Sequence, residues 1–159
     1  MATNASHTKT YYCRGDQTHH HKTDLPTSLR PFVDHIFSNG SYAGDDFKSF
    51  NTKYKNYIKK ILPNGFSIYQ WIRGHYYVSA VLKTPTDRFI YISISDVRYS
   101  PNEWFTNILY RTMENDRDFR GGMNRYTSLF TLARDLERLD SSNTGSIGSI
   151  NNLIGGDQA

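Results

Sequence analysis

The chain has 159 residues, about one domain by the usual span of roughly 100–200, and its 37% apolar content supports one core and not two. Its single cysteine, Cys13, excludes an intrachain disulfide and a sulfur-only metal cage, and no run of about 18 apolar residues is present to cross a membrane. Residues 1–65 hold seven Lys and two Arg against five Asp, whereas residues 100–159 hold six Arg against eight acidic residues, so the net charge of +4 has its source in the front of the chain. That imbalance favours an anionic partner through long-range, salt-dependent attraction. With no apolar run in the first 30 residues to act as a secretory signal, the expected location is the cytoplasm.

Residues 1–25 are polar and aperiodic and read as a disordered tail; residues 141–159, rich in Gly, Ser and Asn, read as another. Between them, 26–140 read as a single α+β domain. A short helix is expected over about 27–38, with Phe32, Val33, Ile36 and Phe37 on one side and Asn39-Gly40 as its stop. A second starts at a capping Asp45 or Asp46, repeats Phe47, Phe50, Tyr54, Tyr57, Ile58 and Ile61 at helical spacing, and ends at Pro63-Asn64-Gly65. The period then changes to two over Phe66–Arg73, Tyr76–Lys83 and Arg88–Ser95, which predicts a three-stranded antiparallel meander. Ser100-Pro101-Asn102-Glu103 has the form of a capping box for a third helix, with Trp104, Phe105, Ile108, Leu109 and Met113 inward. A fourth is expected over roughly 124–139, turning Tyr126, Leu129, Phe130, Ala133, Leu136 and Leu139 to the core. The predicted fold class is α+β, a three-stranded sheet with two helices before it and two after.

The candidate binding residues follow from these periods. Strand alternation puts Tyr69, Trp71, Arg73, Tyr77, Lys83, Phe89 and Tyr91 on the sheet face opposite the apolar one. Rings interleaved with cations suit single-stranded nucleic acid, whose bases stack while Arg and Lys meet phosphates. On the second helix Lys48, Lys53, Lys55, Lys59 and Lys60 have no acidic residue among them, and offer a surface to a phosphate backbone or an acidic protein. Arg111, Arg117, Arg120 and Arg125, around a charged loop, are suited to bidentate contacts with phosphate or carboxylate. His19, His20 and His21 with Cys13 and His7 are metal-ligand types, but adjacent residues do not converge on one ion, so no metal and no cofactor is expected. No catalytic motif is present.

The run Asp118-Phe119-Arg120-Gly121-Gly122-Met123-Asn124, following Trp104 to Arg111, resembles a D-aromatic-x-G-G-x-N pattern of small orphan proteins from phages and mobile elements. The resemblance covers about 20 residues and implies an inhibitor of host defence of the anti-CRISPR kind. The helix-helix-strand order, with Arg73, His75, Arg88, Arg98 and Tyr99 at strand ends, is similar in topology to RelE-type toxins, which implies a metal-independent ribonuclease instead. The expectation from the sequence is a non-enzymatic basic protein that binds nucleic acid or a nucleic-acid-handling complex. Ribonuclease activity is the alternative, and self-association through the aromatic sheet face, as in a homodimer, is another.

Overall fold

Three period-two segments hold the centre of the molecule: β3 (Ser67–Arg73), β4 (Val78–Lys83) and β5 (Phe89–Ser93). The computed structural model describes residues 9–38 and 44–142. Ahead of the central strands lie a hairpin, β1 (Thr10–Cys13) and β2 (Thr18–His21), and one long helix, α1 (Asp45–Ile61). After them come a single helical turn, α2 (Glu103–Thr106), two more strands, β6 (Ile108–Met113) and β7 (Arg125–Thr127), and a helix over 132–142, α3. The sheet is therefore five-stranded, antiparallel throughout and ordered β3-β4-β5-β6-β7, beside the separate β1-β2 ribbon. The expected three-stranded sheet with two helices on each side is not what forms.

The added strands replace predicted helix. Residues 108–113 satisfy a helical pattern and a strand pattern equally well, since Ile108 and Tyr110 alternate with Leu109 and Arg111. The backbone edge of β5 needs a partner, and β6 supplies it, pairing Tyr91 with Arg111 and Ile92 with Tyr110. Asn102 thus begins only one helical turn. Residues 125–127 extend the sheet, and the last helix starts later than expected, where the Ser128 hydroxyl accepts the Phe130 amide at 3.1 Å.

The expected first helix is a 3-10 turn, Arg30–Phe32, because Pro31 removes a donor and Asp34 takes a left-handed φ of 56°. Phe32, Val33 and Phe37 are buried there, but Ile36 points outward. The proposed stop at residues 39–40 lies outside the described residues, as do 1–8 and 143–159 of the two expected tails. Residues 10–21, also read as tail, form the ribbon, with Tyr11 and Cys13 buried. At α1 the N-cap is Gly44, since the Asp46 side chain turns back to His35 and Ser38.

Helix α1 lays Phe47, Phe50, Tyr54 and Ile58 on the inner sheet face, against Val78, Ala80, Leu82, Ile90, Ile92 and Ile108. Rings dominate this core. Phe50 meets Phe32, Phe37, Tyr54 and Trp104 with centroids between 5.1 and 5.5 Å apart. The Tyr54 hydroxyl donates to the Trp104 carbonyl at 2.7 Å, and full burial drives its pKa upward. The ribbon docks through Tyr11 on Phe105 and through the Gly15 amide, which donates to the Thr106 carbonyl at 2.9 Å. A Cβ at Gly15 would lie 2.0 Å from the Thr127 carbonyl oxygen, so glycine alone fits that crossing. No described helix is long and apolar enough to span a membrane.

Candidate nucleic-acid interface

A bulge between Ile68 and Gln70 decides which side chains of β3 face where. Tyr69 is the extra residue, so from Gln70 onward the parity reverses from simple alternation. Trp71 pairs with Ala80 and lies on the inner side, where its indole N–H donates to Asn51 Oδ1 of α1 at 2.9 Å and its ring meets Tyr54. Ile72, expected in the core, pairs with Ser79 on the outer side. Trp71 is thus removed from the proposed stacking surface. Arg73 pairs with Val78, an inner-face residue, and Tyr77 packs its ring against Gly74 in the following turn.

Tyr69 and Tyr91 do share the outer face. Tyr69 is half exposed and meets Phe89 edge-on at 5.1 Å, while Tyr91 meets Phe119 at 6.0 Å. No helix covers this surface among the described residues; the loop over 114–122 does so in part. Arg111, next to Tyr91 across the sheet, places its guanidinium 4.8 Å from that ring. Arg111 is buried and donates to the carbonyls of Thr112, Asp118 and Gly121, which pins the loop to the sheet and so takes Arg111 out of reach of a phosphate.

Asp118 organises the same loop from within. Its carboxylate accepts the amides of Glu114, Arg120 and Gly121, and these bonds, with the Arg111 charge, hold its pKa below the usual carboxylate range. Gly122 takes a φ of +83°, and a Cβ there would lie 2.5 Å from the Thr112 carbonyl oxygen. The Asp118 to Gly122 spacing is therefore the requirement of a carboxylate-capped turn lying against a strand. Asp116 accepts the Tyr69 hydroxyl at 2.9 Å and raises that phenol's pKa, against the opposing charges of Lys83 and Arg117.

The five lysines of α1 divide between two flanks of the helix. Lys55 and Lys59 border an open groove of about 480 Å³ between α1 and β3, with Leu62, Phe66, Tyr69 and Trp71 along it. Lys53 and Lys60 line a smaller groove of about 210 Å³ with Pro26, Asn56 and Tyr57. Lys48 lies 3.8 Å from Asp45 at the start of the helix. Among the described residues no carboxylate lies within ion-pair reach of Lys53, Lys55, Lys59 or Lys60.

Strand β3 forms the sheet edge, so part of its backbone hydrogen-bonding capacity also faces this groove. Arg117 joins the arrangement through its field on Tyr69. Arg120 is exposed on the loop, and Arg125 lies on β7 at the far sheet edge beside Tyr110 and Arg138. Lys83 and Phe89, which alternation also puts on the face of Tyr69, pair with each other across β4 and β5, and Phe89 meets the Tyr69 ring.

The ends of the strands do not assemble the ribonuclease set. Arg73, His75 and Arg98 gather near one end of the sheet, where Arg98 pairs with Asp96 at 2.8 Å and stacks over Tyr76 and Tyr99. Arg88 precedes the opposite end of β5. Of the metal-ligand types, Cys13 and His20 meet on the ribbon together with Asp16, which the sequence reading did not include. Cys13 is fully buried, and desolvation followed by the nearby Asp16 charge pushes its thiol up to about 12. In comparisons with protein-family models, curated proteins and solved structures, none matches this chain.

Proposed function

We propose that this chain is a small basic binding protein, not an enzyme, that captures a single strand of nucleic acid, free or held in a nucleic-acid-handling complex. The observation that carries this reading is the α1–β3 groove, where Lys55 and Lys59 stand uncompensated beside the exposed ring of Tyr69. A strand laid along the groove would pass its phosphates by the two ammonium groups and present bases to Tyr69 and Phe89. Around the same ring Lys83, paired with Asp87 at 3.3 Å, and Arg117 oppose the Asp116 carboxylate that holds the Tyr69 hydroxyl. Nothing in this arrangement selects a base by hydrogen bonding, so recognition rests on charge and stacking and is tolerant of sequence. Inhibition of a partner complex would follow by occupying its nucleic acid or the surface that carries it.

Fluorescence anisotropy with labelled single-stranded RNA and DNA, measured across salt, tests the reading. Log affinity is expected to fall linearly with log salt, and Lys55→Glu with Lys59→Glu to reduce the slope by about 0.7 per lysine. The probes should remain intact on a denaturing gel. A response flat in salt, or one unaltered by the double substitution, would overturn the groove as the contact.

A further inference from the structure

We infer that the β1–β2 ribbon carries a binding site for a divalent transition metal, zinc above all, built from Cys13, Asp16 and His20. One ligand atom from each residue lies within 4.8 Å of the other two. His20 Nε2 and Asp16 Oδ2 stand 3.2 Å apart. Two ligands each about 2.0–2.1 Å from one ion at a tetrahedral angle stand roughly 3.3 Å apart, so this pair is already spaced to share a cation. Sulfur, imidazole nitrogen and carboxylate oxygen together form a donor set that suits zinc and rejects magnesium or calcium. Thiolate and carboxylate also balance the two positive charges of the ion, with the Cys13 proton released to solvent as the metal–sulfur bond forms.

The surroundings provide an independent indication. His20 turns Nε2 toward the cluster, where the Thr18 hydroxyl also meets it at 2.6 Å, while Nδ1 stands 3.8 Å from Asp24 Oδ2, outside hydrogen-bond distance. The ring is held in place by stacking on Phe130, with centroids 3.9 Å apart and planes at 15°. Asp16 is oriented by the Thr18 amide and by the hydroxyls of Thr18 and Ser128. Even without an ion the hydrogen bonds would hold the ribbon in shape, so the proposal concerns what the three donors bind and not why the ribbon folds. Three protein ligands leave one tetrahedral position for water or for a group from a partner.

Tag-free, chelator-stripped protein titrated with Co²⁺ as a spectroscopic probe provides the test. The expected result is one equivalent bound, with a sulfur-to-cobalt charge-transfer band and tetrahedral d–d absorption, both displaced by Zn²⁺. Cys13→Ser should abolish the charge-transfer band, and His20→Gln should weaken zinc binding at least 100-fold. The double variant His19→Gln, His21→Gln should bind as the unaltered protein does. Absence of the charge-transfer band from the unaltered protein would overturn the site, as would binding that follows His19 and His21 instead. Because the spectrum of the unaltered chain decides the question, a Cys13 variant that fails to fold does not rescue the idea.

Discussion

The two faces of the five-stranded sheet are buried by different means. On the inner face Phe50, Tyr54 and Trp104 enclose one another, and the two fully buried phenols have partners: Tyr54 donates to the Trp104 carbonyl and Tyr76 accepts the Gly44 amide. On the outer face Val81 and Met113 are equally dry, yet the loop that lies on that face is held by one guanidinium and one carboxylate, Arg111 and Asp118. Apolar burial is non-directional and tolerates rearrangement, whereas the loop depends on a few oriented hydrogen bonds. The inner face therefore supplies stability, and the outer face supplies a surface that can change without unfolding the domain.

Four perturbations would break or sharpen that contrast. Trp104→Ala should cost about 3–5 kcal/mol, read as a lower urea midpoint, since it empties a fully enclosed site. Arg111→Met should cost about 2 kcal/mol and raise amide exchange within 114–122 while leaving α1 protected; uniform exchange across both would mean the faces are not separable. Asn51→Ala should cost about 1 kcal/mol by leaving the Trp71 indole N–H without its acceptor, and a neutral result would contradict the inward placement of Trp71. The smallest effect is expected from acid. Burial alone would raise the Asp34 carboxyl, but donors from Tyr11, Asn102 and Lys9 outweigh it and bring its pKa to about 2. Its stabilisation is thus present above the ordinary carboxylate value of 3.8 and is lost as pH falls toward 2. With Asp34 45% exposed, solvent screening limits that loss to under about 1 kcal/mol, measurable as the drop in melting temperature between pH 5 and pH 2.5 in the Asp34→Asn variant against the unaltered chain.

The inner face was legible in the sequence because its periods are long. Phe47, Phe50, Tyr54 and Ile58 repeat as a helix over 17 residues, β5 alternates without interruption, and β4 is buried at five successive positions. Residues 108–113 were ambiguous in kind, and only the open edge of β5 decides them. The bulge at Tyr69 leaves no local signature, yet it reverses the facing of Trp71 and Ile72 and so rewrites the candidate stacking surface. Among the lysines, an uncompensated run was visible, but its division between two grooves depends on which side of α1 meets β3. Asp16 escaped notice because Gly15 and Gln17, the latter at a φ of 59°, fold it back toward His20 in a turn whose shape the flanking polar residues do not announce.

The glycine crossing at residue 15 has a consequence for how the molecule is made. The ribbon leaves the ribosome well before the surfaces it lies against, at Thr106, Thr127 and Ser128. The contact between Asp16 and Ser128 spans 112 residues, so the ribbon waits for its place until residue 128 has emerged. Until then Tyr11 and Cys13 remain in water, and a nascent chain paused before residue 128 presents a hairpin with nowhere to dock.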